Sequence, residues 1–160
     1  MADIKFVADV MLGKLARRLR LLGADVLYSN AAEDHEIVRV AEAEHRVILT
    51  RDVGLCDRRM TTRCLLIDSM SDREQIRQVT AAFDLSACTA FSRCLECNTP
   101  LEPVDKETVV DRVPAFVYQT QERFSTCPSC NRVYWAGTHV DAMRKQVPPP
   151  GDADTSRCQP

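Results

Sequence analysis

The sequence predicts an α/β chain, a parallel sheet clothed in helices, followed by a small β-rich module. Three observations carry that expectation. Short β-prone runs alternate with helix-period patterns through the first part of the chain. An aspartate comes directly after three of the expected strands, at Asp9, Asp52 and Asp68. Further on, the long helical stripes stop and two C-x-x-C pairs appear, Cys94/Cys97 and Cys127/Cys130. Alternation of strand and helix implies parallel strands joined by crossovers. The change of character near Ala90 divides the chain into an α/β domain at 1–89 and a four-cysteine zinc-ribbon module at 90–145. Residues 146–160, QVPPPGDADTSRCQP, have no apolar pattern and read as a disordered tail.

The first strand is expected over Ile4–Ala8, ending at Asp9. In MLGKLARRLRLLG, Leu12, Leu15, Ala16, Leu19 and Leu22 share one helical face. Lys14, Arg17 and Arg18 lie on the other side, and Gly23 is a natural stop. Residues 24–28 form a second strand. DHEIVRVAEAEHRVILTRD then gives a helix with Ile37, Val38, Val40 and Ala41 on one stripe, a buried strand over Arg46–Thr50, and an acid at each end. Residues 53–61 read as a helical turn or loop, and Cys64–Ile67 as a fourth strand. Ser71 with Glu74 fits a capping box opening a helix whose apolar face is Ile76, Val79 and Phe83. Between the cysteine pairs, Thr108–Val110 and Phe116–Tyr118 are β-prone, as is Val133–Trp135 after them.

The net charge of −2 gives no overall basic field, so any polyanion site must be a local patch. No basic and apolar leader opens the sequence, and no apolar run approaches the ~20 residues of a membrane span. A soluble, cytoplasmic protein without a membrane partner is expected. Neither a G-x-G-x-x-G nor a Walker A motif follows any strand, which argues against a dinucleotide or P-loop site. Of the eight cysteines, the paired four read as metal ligands, and Cys56, Cys64, Cys88 and Cys158 as reduced thiols.

Strand ends and the start of the helix at Asp34 share the carboxyl edge of a parallel sheet. Asp9, Asp34, Asp52 and Asp68 therefore gather at one edge. The plain alternative makes Asp34 a helix cap and Asp52 a loop acid. Carboxylates crowded together repel unless a cation joins them. Mg²⁺, or Mn²⁺ in its place, suits oxygen ligands and phosphate substrates. No nucleophile–histidine pair competes, since His35 and His45 flank one helix and read as surface residues. Metal-assisted phosphodiester hydrolysis is the reaction this pattern favours. Lys14, Arg17 and Arg18 can then position a phosphate backbone, although a solvated basic face is the ordinary role of such residues.

Two C-x-x-C turns aim four thiolates at one ion and complete a tetrahedral, closed and therefore structural Zn²⁺ site at Cys94, Cys97, Cys127 and Cys130. The long gap between the pairs leaves room for a hairpin. Phe116, Tyr118, Phe124, Tyr134 and Trp135 crowd the module, mostly as core. One or two of these rings beside Arg123 and Arg132 could stack on RNA bases. A receiver-type phosphoacceptor fold is disfavoured because Ala8, not an acid, precedes Asp9 and no lysine lies between Lys14 and Lys106.

With these residues laid out, the chain resembles the Mut7-C ribonuclease family, a branch of the PIN-like nuclease fold, from Lys5 to Met143. KFVADVMLGKLARRLRLLGADV is similar to its first strand and helix. DHEIVRVAEAEHRVILTRD is similar to its second signature, with T-x-D after the strand, and RCLECNTPLEPV with CPSCNRVYWAGTHVDAM to its zinc ribbon. The resemblance implies a PIN-like fold and an Mg²⁺- or Mn²⁺-dependent RNA-cleaving site with Asp9, Asp34 and Asp52 as metal-binding acids. Glu36, Asp57 and Asp68 are candidates for a fourth. Asn131 stands where that family commonly has glycine, and Ser125 where it often has an aromatic. A non-catalytic RNA- or ribosome-binding protein using the same surface is the alternative.

Overall fold

A strand buried at every position must be covered on both faces, and Val47–Thr50 (β3) is such a strand. In the computed structural model, which describes residues 4–57 and 63–137, β3 lies inside a four-stranded parallel sheet. The other strands of that sheet are Lys5–Ala8 (β1), Asp25–Tyr28 (β2) and Cys64–Leu66 (β4), in the order β2-β1-β3-β4. The helices are Gly13–Leu21 (α1, entered through a 3-10 turn at Val10–Leu12), Asp34–Glu44 (α2), Val53–Asp57 (α3) and Asp72–Ala82 (α4).

The period of two along each strand sorts the core into two layers. Phe6, Ala8, Val26, Val47 and Leu49 face Leu12 of the 3-10 turn, Leu15, Ala16 and Leu19 of α1, and Ile76 and Val79 of α4. Val7 and Ile48 face Ile37 and Ala41 of α2 and Leu55 of α3. At ~25 cal/mol per Å² of apolar surface, this double-sided burial dominates the stability of so small a sheet. The strand order reverses between β1 and β3. A crevice at the carboxyl ends of those two strands is where parallel α/β sheets place ligands.

Leu22 caps the C-terminus of α1, and Gly23 takes the left-handed φ of +92°. A Cβ there would lie 2.1 Å from the carbonyl oxygen of Thr89, so the glycine serves both the turn and the close passage of the later chain. Phe91 N–H donates to the Leu21 carbonyl in the same crossing.

The second sheet is antiparallel, in the order β5-β6-β7: Glu102–Val104 (β5), Phe124–Thr126 (β6) and Val133–Trp135 (β7). Two of the runs read as β-prone are helical instead. Thr108–Val110 falls on a 3-10 turn at Lys106–Val109, and Phe116–Tyr118 lies in Ala115–Thr120 (α5). Pro114 immediately precedes α5, where its fixed φ starts a helix. The gap between the cysteine pairs does hold a hairpin, β5 paired antiparallel with β6, and the two short helical turns make up its long loop. Phe116, read as a candidate core ring, is 73% exposed.

Two further expectations change. Ser71 does precede α4, but its side chain makes no cap bond, and Glu74 pairs with Arg77 one turn on (3.0 Å). The capping box lies at α2 instead, where Glu33 is the N-cap and its N–H donates to Glu36 Oε2 (2.9 Å). Cys56 and Cys64, read as reduced thiols, form a disulfide. The reason is tertiary: α3 packs against β3 and β4 and brings the two Cα atoms to 5.6 Å. Cys88 is half-buried and stands outside that disulfide. Cys158 and the tail at 146–160 lie outside the described residues.

Candidate functional site

Asp9 leaves β1 with its N–H still bonded to the Leu49 carbonyl of β3 (2.9 Å), so it is fixed against the neighbouring strand. It is only 6% exposed. One carboxylate oxygen accepts from the Val10 N–H, which caps the 3-10 turn. The other, Oδ2, accepts from the Thr50 hydroxyl (2.9 Å). That same hydroxyl oxygen accepts the Asp52 N–H (2.9 Å). The fully buried Thr50 therefore ties Asp9 to the backbone of Asp52 across the point where the strand order reverses. Asp52 is exposed, and its Oδ1 accepts from Gly54 N–H at the start of α3 (2.8 Å).

Asp34 is the first residue of α2 rather than its cap, because Glu33 occupies that place. The connection from β2 to α2 puts this helix start at the same edge. Glu33, Asp34 and Glu36 place negative charge at the positive end of the helix. Asp68 follows β4 and accepts from the Gln78 side chain of α4, and Asp57 is exposed at the end of α3. Asp9, Asp34 and Asp52 share the edge, but their carboxylates do not close as a set to the 4.8 Å separation found among the cysteine sulfurs.

The three cations proposed beside this edge diverge. Arg18 pairs with Asp72 of α4 (2.8 Å), and Arg17 pairs with Glu96 of the ribbon. Lys14 is exposed and, among the described residues, has no partner.

The cysteine site is closed. All four Sγ atoms lie within 4.8 Å of one another, with Cys94 and Cys130 at 3.7 Å. Zn–S bonds of about 2.3 Å put tetrahedral sulfurs about 3.8 Å apart, so the donor set fits Zn²⁺. Each knuckle repeats one backbone plan. Asn98 and Asn131, directly after the second cysteine of each pair, adopt left-handed φ of 63° and 60°. Each donates its N–H to the carbonyl of the first cysteine (3.0 and 2.8 Å). Asparagine tolerates this conformation, which explains Asn131 at a position where glycine also serves.

Sulfur protonation shows the strain that a cation relieves. Burial pushes the Cys94 thiol up, but hydrogen bonds from Tyr134 and from the Cys97 and Glu96 amides outweigh it and bring it to about 7. Hydrogen bonding with Cys130, then burial, pushes Cys97 up to about 12. Four such thiols cannot all ionise together without a positive charge among them.

The ribbon is keyed to the sheet by residues to which the sequence reading gave no role. Strand β2 is an edge strand, and both polar groups of Val26 point outward. Asn98 Oδ1 accepts the Val26 N–H (3.0 Å), and Arg20 Nε donates to the Val26 carbonyl (2.9 Å). Arg20, 4% exposed, also donates to the carbonyls of Leu95 and Glu96. Burial lowers its pKa, and the neighbouring Cys94 charge opposes that shift. Asp25 joins Arg46 (2.7 Å), Asn98 (2.7 Å) and Arg93 (3.7 Å). Burial raises this carboxyl, but the bonds from Arg46 and Asn98 hold it below its ordinary range. The signals were present: Arg20 lies four residues after Ala16 on the buried stripe, Asn repeats after both C-x-x-C pairs, and Thr50 stands two residues before Asp52.

Comparison with known proteins places these observations. A family model described as the Mut7-C RNAse domain matches residues 4–147. A human protein described as exonuclease mut-7 homolog is 38% identical over 101 residues, which is 59% of this chain. The match spans 12% of that protein's length. No solved structure matches the chain.

Proposed function

The chain belongs to the Mut7-C RNAse domain family, and on that premise we propose that it is a nuclease, a metal-dependent endoribonuclease whose reaction centre is the carboxyl edge of the parallel sheet. The observation that carries the reading is the Thr50 hydroxyl joining Asp9 to Asp52 at the reversal of strand order. Asp9, Asp34 and Asp52 are the acids we assign to a Mg²⁺ or Mn²⁺ ion. Mg²⁺ keeps several of its waters and is commonly held by only one or two direct carboxylates. Bound there, such an ion supplies activation of water and neutralisation of phosphoryl charge.

The chain's own part is positioning. Thr50 holds the Asp9 carboxylate in one orientation, and the Gly54 N–H does the same for Asp52. Lys14, the second residue of α1, is exposed and available to a phosphate passing the edge. Arg17 and Arg18 can turn to substrate only by leaving Glu96 and Asp72. The ribbon, with structural Zn²⁺ on Cys94, Cys97, Cys127 and Cys130, helps hold the strand.

The test is cleavage of a labelled circular RNA, which has no ends, by the full chain with added Mn²⁺. Wild type should linearise it, and Asp52→Asn should lose about 10²-fold or more in rate. Equal rates would remove Asp52 from the site. RNA binding without product under either ion would leave a binding protein that uses the same surface.

A further inference from the structure

A cleft of about 390 Å³ lies between α1 and the ribbon, away from the acid edge. Its volume is at the low end of ligand-sized clefts, roughly 300–1,000 Å³. Arg17, Arg112 and Arg132 line it, with Glu96 as the opposing acid and Tyr134 and Trp135 among its walls. Its local balance is thus positive in a chain whose net charge is −2. Arg112 is held at the rim by donating to the Asn131 carbonyl. Arg132 is exposed, and its guanidinium has no partner among the described residues. Part of Trp135 packs on the cluster of Val109, Val113 and Phe124, and it remains half-buried.

We propose that this cleft binds a segment of single-stranded nucleic acid, with Arg132 and Arg112 on phosphates and a base against Trp135. The proposal rests on the nuclease reading for the identity of the strand as substrate. Sequence-tolerant capture of single strands needs cations beside an accessible aromatic ring, and the cleft supplies both. A local basic site also answers how a chain without an overall basic field gathers a polyanion. Helix α1 runs from the acid edge to the cleft, with Lys14 and Arg17 one turn apart, about 4.5 Å along its axis. A strand seated in the cleft is therefore led past Arg17 and Lys14 towards Asp9.

Trp135 is the only tryptophan in the chain, so its emission reports on the cleft directly. The experiment titrates zinc-loaded full-length protein, without added Mg²⁺ or Mn²⁺, with short oligouridylate and with a blunt RNA duplex. The single strand should quench Trp135 emission and the duplex should not. Arg132→Glu should weaken single-strand binding about tenfold with zinc content unchanged, and Arg132→Ala should lower the salt dependence by about 0.7 of a logarithmic unit. Arg39→Glu, the same charge change on α2, should bind as wild type does. Absent quenching, equal duplex binding, or equal loss in the Arg39 variant would overturn the proposal. Quenching in a protein that cleaves nothing would retain the cleft and sink the nuclease centre. Cleavage without quenching would do the reverse.

Discussion

Thr50 carries no charge and is no ligand in the proposed site, yet the acid edge is organised through its hydroxyl. It donates to Asp9 and accepts from Asp52 while fully buried. Removing the hydroxyl leaves a buried carboxylate oxygen and an amide without that partner, a cost that packing cannot return. We expect Thr50→Val, nearly isosteric, to lower cleavage by about 10- to 100-fold while the far-UV spectrum stays native, because it disturbs orientation rather than composition. Full activity in that variant, measured in the circular-RNA assay, would show that the bridge does not position the acids. Asp9 and Asp52 were legible in the sequence as acids after strands. The role of Thr50 was not, because a hydroxyl's partners are set by which strand lies next to it.

Among the elements, α1 has the most to do. One face packs on the sheet, its start leads away from Asp9, and its end meets the later chain at Gly23. Gly23→Ala should destabilise the protein by roughly 2 kcal/mol or more, since left-handed backbone and overlap with the Thr89 carbonyl act together. Urea unfolding of the variant measures this; an unchanged midpoint would mean that the crossing at Thr89 moves aside freely. The helix and its glycine stop were readable from apolar spacing alone. The partners of its cations were not. Arg17 and Arg18 read as a free basic face, and both are engaged with acids from distant segments. The misplaced strands teach the same lesson at this scale. Thr108–Val110 and Phe116–Tyr118 have β-prone side chains, but the residues before them start helical turns, and no neighbouring strand takes up their backbone groups.

Across the whole molecule, the ribbon is bound into the sheet it follows. Asn98, fixed by the first knuckle, closes the open edge of β2 at Val26, and Arg20 ties α1 to the same knuckle. Stripping zinc should therefore disturb more than the ribbon. Hydrogen exchange at the Val26 amide should quicken by about tenfold or more on chelation, while the Ile48 amide in the sheet interior should change little. Equal protection at Val26 with and without zinc would show that the knuckle holds its shape without the ion. The Cys56–Cys64 disulfide belongs to this scale too, since only the packing of α3 on β3 and β4 brings its halves together.

Periodicity, strand-end acids and C-x-x-C spacing determined by themselves the parallel α/β order, the edge on which Asp9, Asp34 and Asp52 fall, and the four zinc-competent cysteines. These are local properties of the chain, each confined to a few residues or one repeat. The tertiary structure alone decided that Thr50 joins Asp9 to Asp52, that Arg20 and Asn98 seal β2, that Cys56 meets Cys64, and that Arg132 and Trp135 share a cleft facing α1. Each of those depends on residues far apart in sequence meeting across the fold, and no local pattern records which will meet.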